Sequence, residues 1–350
     1  MKRSFRKITS IAVFCIVILV IAAGGVAAKL IYAGTPESAN SLSFQGYILL
    51  PEGRMLTILD YLSVSGKSLF VADESTGKVY NVRLDGEGLP DALDVSVFAL
   101  EPATHGVIID PASRLGYVTR SDANTVDIFN PATMRLIKRI PVAADPDGIF
   151  YDPHNKLVYV ASGDSGVGTV IDPATQTISA VIPLGGKPEF AAFDGQTNLL
   201  YQNIEDGDMI AVLDLAKRSV TQDWLLQGCK APSGMAIDEP HRRLFVACSG
   251  NATLVVFDLD AHRVVASLPV GSSPDSVAFD PDLRRIYTTG RAGLLSVIQQ
   301  DTSDSYRQLD AIHTHYGAHT LAIDPVTHRL YLGYASLLVQ PRVAVFAARR

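Results

Sequence analysis

The sequence predicts an all-β fold, specifically a seven-bladed β-propeller of four-stranded blades. The first observation is an internal repeat of about 42 residues that runs to the C-terminus. The second is that each repeat contains several short apolar runs, while no long amphipathic stripe follows the first 33 residues. The third is a composition with 27 Gly and 19 Pro among 350 residues, which is typical of many short strands joined by turns.

A segment that is first positively charged and then hydrophobic opens the chain. Its four cations are Lys2, Arg3, Arg6 and Lys7. The uncharged run over 8–28 is long enough to cross a bilayer as a helix, and the positive-inside bias places the following residues outside the cytoplasm. We therefore expect residues 1–33 to form either a hydrophobic signal peptide or a signal-anchor helix. Residues 34–350 would then be an exported propeller, periplasmic or attached to the outer side of the inner membrane.

Six clear copies of the repeat align on an aspartate that ends an apolar run. Successive aspartates are 42 or 44 residues apart, and each is followed by a second short apolar run that contains an aromatic residue. The aspartates are Asp110, Asp152, Asp194, Asp238, Asp280 and Asp324. A divergent copy precedes them, because Phe70 fits the aromatic position 47 residues before Tyr117. Seven copies of the repeat predict seven blades.

Each repeat has the pattern of four strands, named a to d in chain order. Strand a is the apolar run before the aspartate, whose side chain favours the first position of a turn, and strand b carries the aromatic residue. Strand c is exemplified by residues 125–129 and strand d by residues 136–142. Strand d contains a proline such as Pro141, and a residue without a backbone donor is tolerated at the edge of a sheet. We therefore place the d strands on the outside of the propeller.

The two ends of the chain predict how the ring of blades closes. The last repeat stops after a strand c at residues 341–346, whereas residues 44–51 have the pattern of a strand d without a blade of its own. We expect this N-terminal strand to complete the last blade, so that one sheet is built from both chain ends. The alternative is an N-terminal linker strand that lies outside the blades.

The motifs of the blades resemble those of the YVTN-repeat β-propeller family, which is also called YncE-like. They are Gly116-Tyr-Val-Thr119, Val158-Tyr-Val-Ala161 and Asp172-Pro-Ala-Thr175, with Ile140-Pro-Val142 at the end of a blade. The resemblance covers roughly residues 41–350 and six of the seven repeats. It implies a seven-bladed fold and export. It implies no particular reaction, because propellers of this type serve as binding platforms and as domains of redox enzymes.

The first residues of each strand a are expected to line the mouth of the central channel, where residues from different blades converge. Just before strand a lie His105, Asp147, Glu189, Ser233, Asp275 and His319. The loops between strands b and c add charged residues to the same face, namely Asp73, Glu74, Arg120, Asp122, Asp164, Glu205, Asp206 and Arg291. Imidazole and carboxylate groups are ligands of divalent metal ions, so one interpretation of this net negative ring is binding of a divalent metal ion or a cationic ligand. The alternative is a solvated polar mouth.

Two further sets of residues are candidates for a site. His313, His315 and His319 lie close together in sequence and could supply three nitrogens to one metal ion, or else they are surface or channel-lining histidines. Cys229 lies just before strand a of the fifth blade, and Cys248 lies at the end of its strand b. Antiparallel pairing puts both cysteines at one face, so they form either a disulfide or two free buried thiols.

The sequence favours binding over catalysis. It contains neither the Gly-x-Ser-x-Gly nor the His-Glu-x-x-His motif, and its net charge of −6 makes nucleic acid an unsuitable partner. We expect a binding or scaffold protein that engages a small-molecule or protein ligand of the cell envelope at the channel mouth. It would contact the membrane only through an uncleaved N-terminal segment. The alternative is a metal-assisted periplasmic enzyme, a lactonase-type hydrolase or a redox-associated protein, that uses His105, His319 and the acidic residues of the mouth.

Overall fold

The computed structural model describes residues 36–51, 56–84, 95–99 and 103–349, and these residues form seven antiparallel sheets. The prediction of an all-β, seven-bladed propeller with four-stranded blades is confirmed. The predicted signal peptide or anchor helix at residues 1–33 lies outside the described residues. No helix within the described ranges has the length and apolar character needed to span a bilayer.

The strands follow the predicted order a to d in each blade. The chain begins with β1 (Leu42–Leu49) and continues into blade one with β2 (Leu56–Ser65), β3 (Ser68–Asp73), β4 (Lys78–Arg83) and β5 (Val95–Ala99). Blade two contains β6 (Thr104–Ile109), β7 (Gly116–Arg120), β8 (Thr125–Asn130) and β9 (Arg135–Pro141). Blade three contains β10 (Pro146–Asp152), β11 (Leu157–Ser162), β12 (Val167–Asp172) and β13 (Thr177–Pro183). Blade four contains β14 (Pro188–Asp194), β15 (Leu199–Ile204), β16 (Met209–Asp214) and β17 (Ser219–Leu225).

The remaining blades repeat this arrangement. Blade five contains β18 (Pro232–Asp238), β19 (Arg243–Cys248), β20 (Thr253–Asp258) and β21 (Arg263–Pro269). Blade six contains β22 (Pro274–Asp280), β23 (Arg285–Gly290), β24 (Leu294–Thr302) and β25 (Ser305–His313). Blade seven contains β26 (Thr320–Asp324), β27 (Arg329–Gly333) and β29 (Arg342–Ala348), while the short β28 (Ala335–Leu337) pairs with β2 of blade one.

Closure of the ring occurs as the sequence predicts. Strand β1 pairs antiparallel with β29, with Phe44 opposite Phe346 and Leu49 opposite Arg342, so it is the outer strand of blade seven. The alternative of a separate N-terminal linker strand is therefore wrong. The outer position of the d strands is also confirmed, because Pro141 pairs only toward Thr125 at the edge of blade two. A proline there removes no hydrogen bond from the interior of the sheet.

In six blades the aspartate of the a-to-b turn stabilises the blade itself, and the aromatic residue of strand b packs against the next blade. In blade four the Asp194 carboxylate accepts hydrogen bonds from the Gln196 amide, the Thr197 hydroxyl and the Tyr201 hydroxyl. The aromatic residue lies between sheets: the buried Tyr159 donates to Gln202 Oε1 of the next blade at 3.0 Å. Burial of these rings between neighbouring blades supplies much of the hydrophobic stabilisation of the propeller.

Candidate functional site

Strand a begins with a β-bulge in six blades. In blade three Pro146 is opposite Ser162 and Ile149 is opposite Val160, so strand a has one residue more than its partner over this stretch. The same irregularity occurs at the start of β2, β6, β14, β18 and β22. Bulges re-aim side chains and are common next to binding sites. This bulge is the local feature that turns a side chain such as Asp147 toward the channel.

A cavity of about 240 Å³ lies where these strand beginnings converge. Its lining residues are Asp60, Tyr61, Glu74, His105, Asp147, Lys187, Glu189, Phe190, Asp275, Arg291, His319 and Thr320. Five of the six predicted ring residues are therefore brought together, and so are the loop residues Glu74 and Arg291. The sixth, Ser233, is instead buried, and its hydroxyl donates to the Pro274 carbonyl at 2.7 Å. A short side chain at this position satisfies its hydrogen bond inside the blade and does not reach the cavity.

Asp60, which is not among the residues predicted from the sequence, is the ring residue of blade one. In the other six blades the ring residue precedes the aromatic residue of strand b by twelve positions, whereas Asp60 precedes Phe70 by ten. The reason is a tighter a-to-b turn: Ser65 pairs directly with Ser68, and Gly66 adopts φ +57°. Two-residue hairpin loops require this left-handed conformation. The short turn Ser65-Gly66-Lys67 is the feature of the sequence that indicates this shift of two residues.

Asp60 joins the two histidines of the ring. His105 Nδ1 donates a hydrogen bond to Asp60 Oδ2 at 2.7 Å, and His319 Nε2 lies 3.6 Å from Asp60 Oδ1. Burial would raise the pKa of the Asp60 carboxyl, but the hydrogen bonds and charges of both histidines outweigh it and hold that pKa below its usual range. Blade one lies between blade two, which carries His105, and blade seven, which His319 opens. Asp60 is the side chain that blade one inserts there.

The two ring histidines have raised pKa values because carboxylates surround them. Burial alone would lower the pKa of His105, but its hydrogen bond to Asp60 and the charges of Asp60 and Asp147 raise it to about 9. The same balance, with Asp60 and Asp275 as the main charges, raises the pKa of His319. Each ring is oriented from its far side: His105 Nε2 lies 2.9 Å from the Ser121 hydroxyl, and His319 Nδ1 donates to the Gly317 carbonyl at 2.7 Å.

The other carboxylates of the ring are crowded. Burial, followed by the charge of Asp60, raises the pKa of Asp147 well above its usual range, and burial raises that of Asp275. Burial also raises the pKa of Glu189 to about 7, although Lys187 acts in the opposite direction at 2.9 Å. These shifts show that the carboxylates lie in an environment with too little positive charge to stabilise their ionised forms fully.

One wall of the cavity is aromatic. The rings of Tyr61 and Phe190 are stacked, with centroids 4.9 Å apart and planes inclined by 19°. Phe150 supports Phe190 in an edge-to-face contact. Burial and the neighbouring carboxylates raise the pKa of Tyr61, so its hydroxyl stays protonated at neutral pH. The cavity therefore combines anionic groups with an exposed π-surface.

The predicted metal set of His313, His315 and His319 is not brought together in the structure. His313 is exposed at the end of β25, whereas His315 is buried beneath Tyr334 and its Nε2 accepts a hydrogen bond from the Tyr47 hydroxyl at 2.7 Å. Only His319 of the three reaches the cavity, because the intervening loop turns His315 toward the N-terminal strand. Within the described residues, one group of three has metal-ligating atoms within 4.8 Å of one another: Asp60, His105 and Asp147.

The two cysteines are bonded to each other in the structure. The Sγ atoms of Cys229 and Cys248 form a disulfide that ties the start of β18 to the end of β19. Both side chains are buried. The bond lies at the face of blade five that carries the cavity, on the side where the ring contains Ser233 in place of a charged residue.

Fold and site together define a seven-bladed β-propeller with a polar, partly aromatic cavity at one mouth of its channel. No protein-family model matches the chain, and no curated protein matches it. Among solved structures, the chain is similar to a chain of hydrazine synthase from Kuenenia stuttgartiensis, with a TM-score of 0.68 and 16% sequence identity. The match covers 86% of this chain and 95% of that chain. At this level of identity the similarity shows the fold alone.

Proposed function

We propose that this protein is an exported binding propeller of the YVTN-repeat type, and that the cavity at its channel mouth binds a small cationic ligand. The observation that carries the proposal is the surplus of carboxylates around the cavity. They are Asp60, Glu74, Asp147, Glu189 and Asp275. The cationic residues of the same lining are Lys187 and Arg291 and, when they are protonated, His105 and His319.

The existing positive charges are already engaged. Lys187 Nζ lies 2.9 Å from Glu189 and 2.6 Å from Glu205, and Arg291 Nε lies 3.2 Å from Asp275. The opposite charge nearest Asp147 among the described residues is that of His105, at 3.6 Å. A bound cation would relieve the repulsion that raises the pKa values of these carboxyls, and this relief is binding energy.

The size and the wall of the cavity support a small ligand. A volume of about 240 Å³ is below the range of sites for drug-sized molecules, which begins at roughly 300 Å³. Tyr61 and Phe190 present a stacked aromatic surface, and the face of an aromatic ring attracts cations. Neither feature requires a reaction, and the ring residues of the cavity are placed to hold a ligand by charge.

Thermal stability of the full chain tests the proposal directly. The probes are tetramethylammonium and a series of divalent metal ions, with neopentyl alcohol and pivalate as neutral and anionic ligands of similar size. We expect at least one cation to raise Tm in a saturable manner, because a ligand that binds the folded state stabilises it. Asp147→Asn should weaken that binding at least tenfold, whereas Asp122→Asn, at an exposed residue of a neighbouring loop, should not. Equal shifts with the neutral and anionic probes, or none with any cation, would contradict the proposal.

Export is a separate part of the proposal. It is supported by the charged and hydrophobic sequence of residues 1–33 and by the Cys229–Cys248 disulfide, since disulfides persist in oxidising compartments. Cell fractionation of the full chain and of a variant that lacks residues 1–33 tests it. We expect the full chain on the outer side of the inner membrane and the shortened chain in the cytoplasm with reduced cysteines. Recovery of the full chain in the cytoplasm would overturn export without affecting the ligand proposal.

A further inference from the structure

We propose that the cation bound in the cavity is a divalent transition metal ion, held by Asp60, His105 and Asp147, with His319 beside Asp60 as a positioning residue. The inference rests on the proposed function, because it names the chemical class of the ligand of the same site. It replaces the histidine set that the sequence suggested with a set contributed by three successive blades of the ring, the first, second and third.

The spacing of the ligating atoms is the first argument. His105 Nδ1 lies 2.7 Å from Asp60 and 3.6 Å from Asp147, and all three ligating atoms lie within 4.8 Å of one another. In a four-coordinate zinc site with bonds of about 2.1 Å, neighbouring ligand atoms are roughly 3.4 Å apart. The observed separations lie on both sides of this value. Small rotations of the side chains would therefore bring the three atoms to one ion.

A second histidine holds Asp60 from its other side. His319 Nε2 is 3.6 Å from Asp60 Oδ1, while His105 approaches Oδ2 of the same carboxylate. The three ligands Asp60, His105 and Asp147 offer one nitrogen and two oxygen donors. Such donors suit Zn²⁺ and its transition-metal neighbours, whereas Mg²⁺ and Ca²⁺ prefer oxygen ligands alone.

The second argument is the support of the two imidazoles from behind. His319 Nδ1 donates to the Gly317 carbonyl at 2.7 Å, which leaves Nε2 facing Asp60. His105 Nε2 lies 2.9 Å from the Ser121 hydroxyl, which leaves Nδ1 facing Asp60. In metal sites the ring nitrogen that does not bind the ion is almost always held by a protein group, which fixes the orientation of the ring. Both histidines have this arrangement.

The third argument is rigidity. Asp60, His105 and Asp147 each lie in the bulge at the start of a strand a, and His319 directly precedes β26. A constellation built on strands is held more precisely than one built on loops. The four side chains are also partly or fully buried, so their positions are restricted by the surrounding blades.

The test is titration of Zn²⁺ into the tag-free full chain in detergent, followed by calorimetry and Tm. We expect one Zn²⁺ per chain and a rise in Tm of roughly 5 °C at about a hundredfold excess over Kd, with no comparable effect of Mg²⁺. Asp60→Asn should weaken Zn²⁺ binding by more than about 100-fold, and His319→Gln, which removes a group that orients Asp60, by about 10-fold. The matched control is His154→Gln, at an exposed histidine of an a-to-b turn, which should bind Zn²⁺ as the unmodified chain does.

Circular dichroism of each variant separates lost binding from lost folding, and Asp147→Asn gives a third variant at a position with fewer contacts. If Asp60→Asn and His319→Gln fold and still bind Zn²⁺ with unchanged affinity, the inference is wrong. If Zn²⁺ does not bind but tetramethylammonium stabilises the chain, the inference is wrong and the proposed function stands. If neither cation binds, both are wrong.

Discussion

The strands a carry acidic side chains at both of their ends, and the two sets have different surroundings. At one end lies the turn ring, formed by the aspartates of the a-to-b turns: Asp110, Asp152, Asp194, Asp238, Asp280 and Asp324. At the other end lies the mouth ring, formed by Asp60, His105, Asp147, Glu189, Ser233, Asp275 and His319. It also contains carboxylates, and all of its members except Ser233 line the cavity. The turn aspartates are buried, whereas the mouth carboxylates are only partly buried. The two sets also differ in the groups that their oxygens contact.

Carboxylates of the turn ring accept hydrogen bonds from the chain that follows them. Asp152 Oδ1 accepts from the His154 and Asn155 amides, both at 2.9 Å. For Asp194, the Arg242 guanidinium and neighbouring hydrogen-bond donors outweigh burial and lower the pKa. In the mouth ring, by contrast, burial and like charges raise the pKa of Asp147.

The difference between the two rings explains why one position is identical in six blades and the other varies from blade to blade. A residue that is identical in six blades meets a need that every blade has, which is to close the turn between strands a and b. A position whose residue changes from blade to blade cannot meet a common need of that kind. The mouth ring contains Asp, His, Glu and Ser at equivalent positions, and these are the side chains that surround the cavity.

The sharpest test of the comparison uses both ends of the single strand β14. Asp194→Ala removes the acceptor of a buried network that includes Tyr201 and Arg242. We expect the free energy of unfolding to fall by about 4 kcal/mol, because breaking a buried ion pair leaves uncompensated polar groups. Equilibrium unfolding in urea at pH 7 measures it.

Glu189→Gln is the matched control at the mouth end of the same strand. Its carboxyl has a pKa of about 7, so a neutral amide of the same size resembles a form that is already populated at pH 7. We expect a change below about 1 kcal/mol. Similar losses for Asp194→Ala and Glu189→Gln would mean that the two rings do not differ in their structural role.

A second test asks whether neighbours, rather than location at the mouth end, decide how a group titrates. His315 lies in the loop before β26, at the mouth end, but it contacts Tyr47, Tyr334 and Arg342 instead of carboxylates. Burial, with a smaller contribution from Arg342, lowers its pKa to about 4, whereas the pKa of His105 is raised.

The sign of the resulting pH dependence follows from the unfolded chain, in which the pKa of His315 is about 6.5. The unfolded state binds the proton more tightly, so stabilisation by neutral His315 is complete above about pH 6.5 and is lost as the pH falls toward 4. We expect the native chain to lose about 3 kcal/mol more than His315→Gln between pH 7 and pH 4. Urea unfolding of both chains across this range measures the difference. Parallel curves would show that His315 titrates normally.

These contrasts also explain how much the sequence alone predicts. The turn aspartates, the outer d strands and the closure by residues 44–51 were predictable, because each depends on local chemistry or on a pattern repeated in every blade. The position of Asp60 does not follow from the repeat, because the turn at Gly66 shortens one copy by two residues, and only the local Ser-Gly-Lys sequence indicates that change.

Membership of the cavity was only partly predictable, because it depends on the direction of each side chain. Ser233 occupies a ring position but bonds to the Pro274 carbonyl, and His315 turns toward Tyr47. Tyr61 and Phe190 reach the cavity from the position after the ring residue, where the bulge also exposes a side chain. A sequence pattern gives the position of a residue in its strand, but it does not give the direction in which a bulge turns the side chain.

The smallest expected effect concerns Asp147, a mouth residue whose pKa is raised well above its usual range. Its carboxyl is favoured in the neutral form by burial and by the charge of Asp60, and an asparagine side chain has nearly the same shape as that form. We expect Asp147→Asn to change the free energy of unfolding by less than about 1 kcal/mol at pH 7 while it weakens cation binding. Urea unfolding without added cations, combined with the Tm titrations, measures both quantities.

The control is Asp122→Asn, on an exposed loop of the same face. Removal of this negative charge should change the free energy of unfolding by no more than about 0.5 kcal/mol. A loss above about 2 kcal/mol for Asp147→Asn would mean that Asp147 is ionised and that its contact with His105 at 3.6 Å is a structural ion pair. The mouth ring would then resemble the turn ring, since its charges would stabilise the fold. An unchanged free energy of unfolding together with weaker cation binding would instead mean that the fold tolerates the crowded carboxylates of the mouth ring and that they serve to bind a ligand.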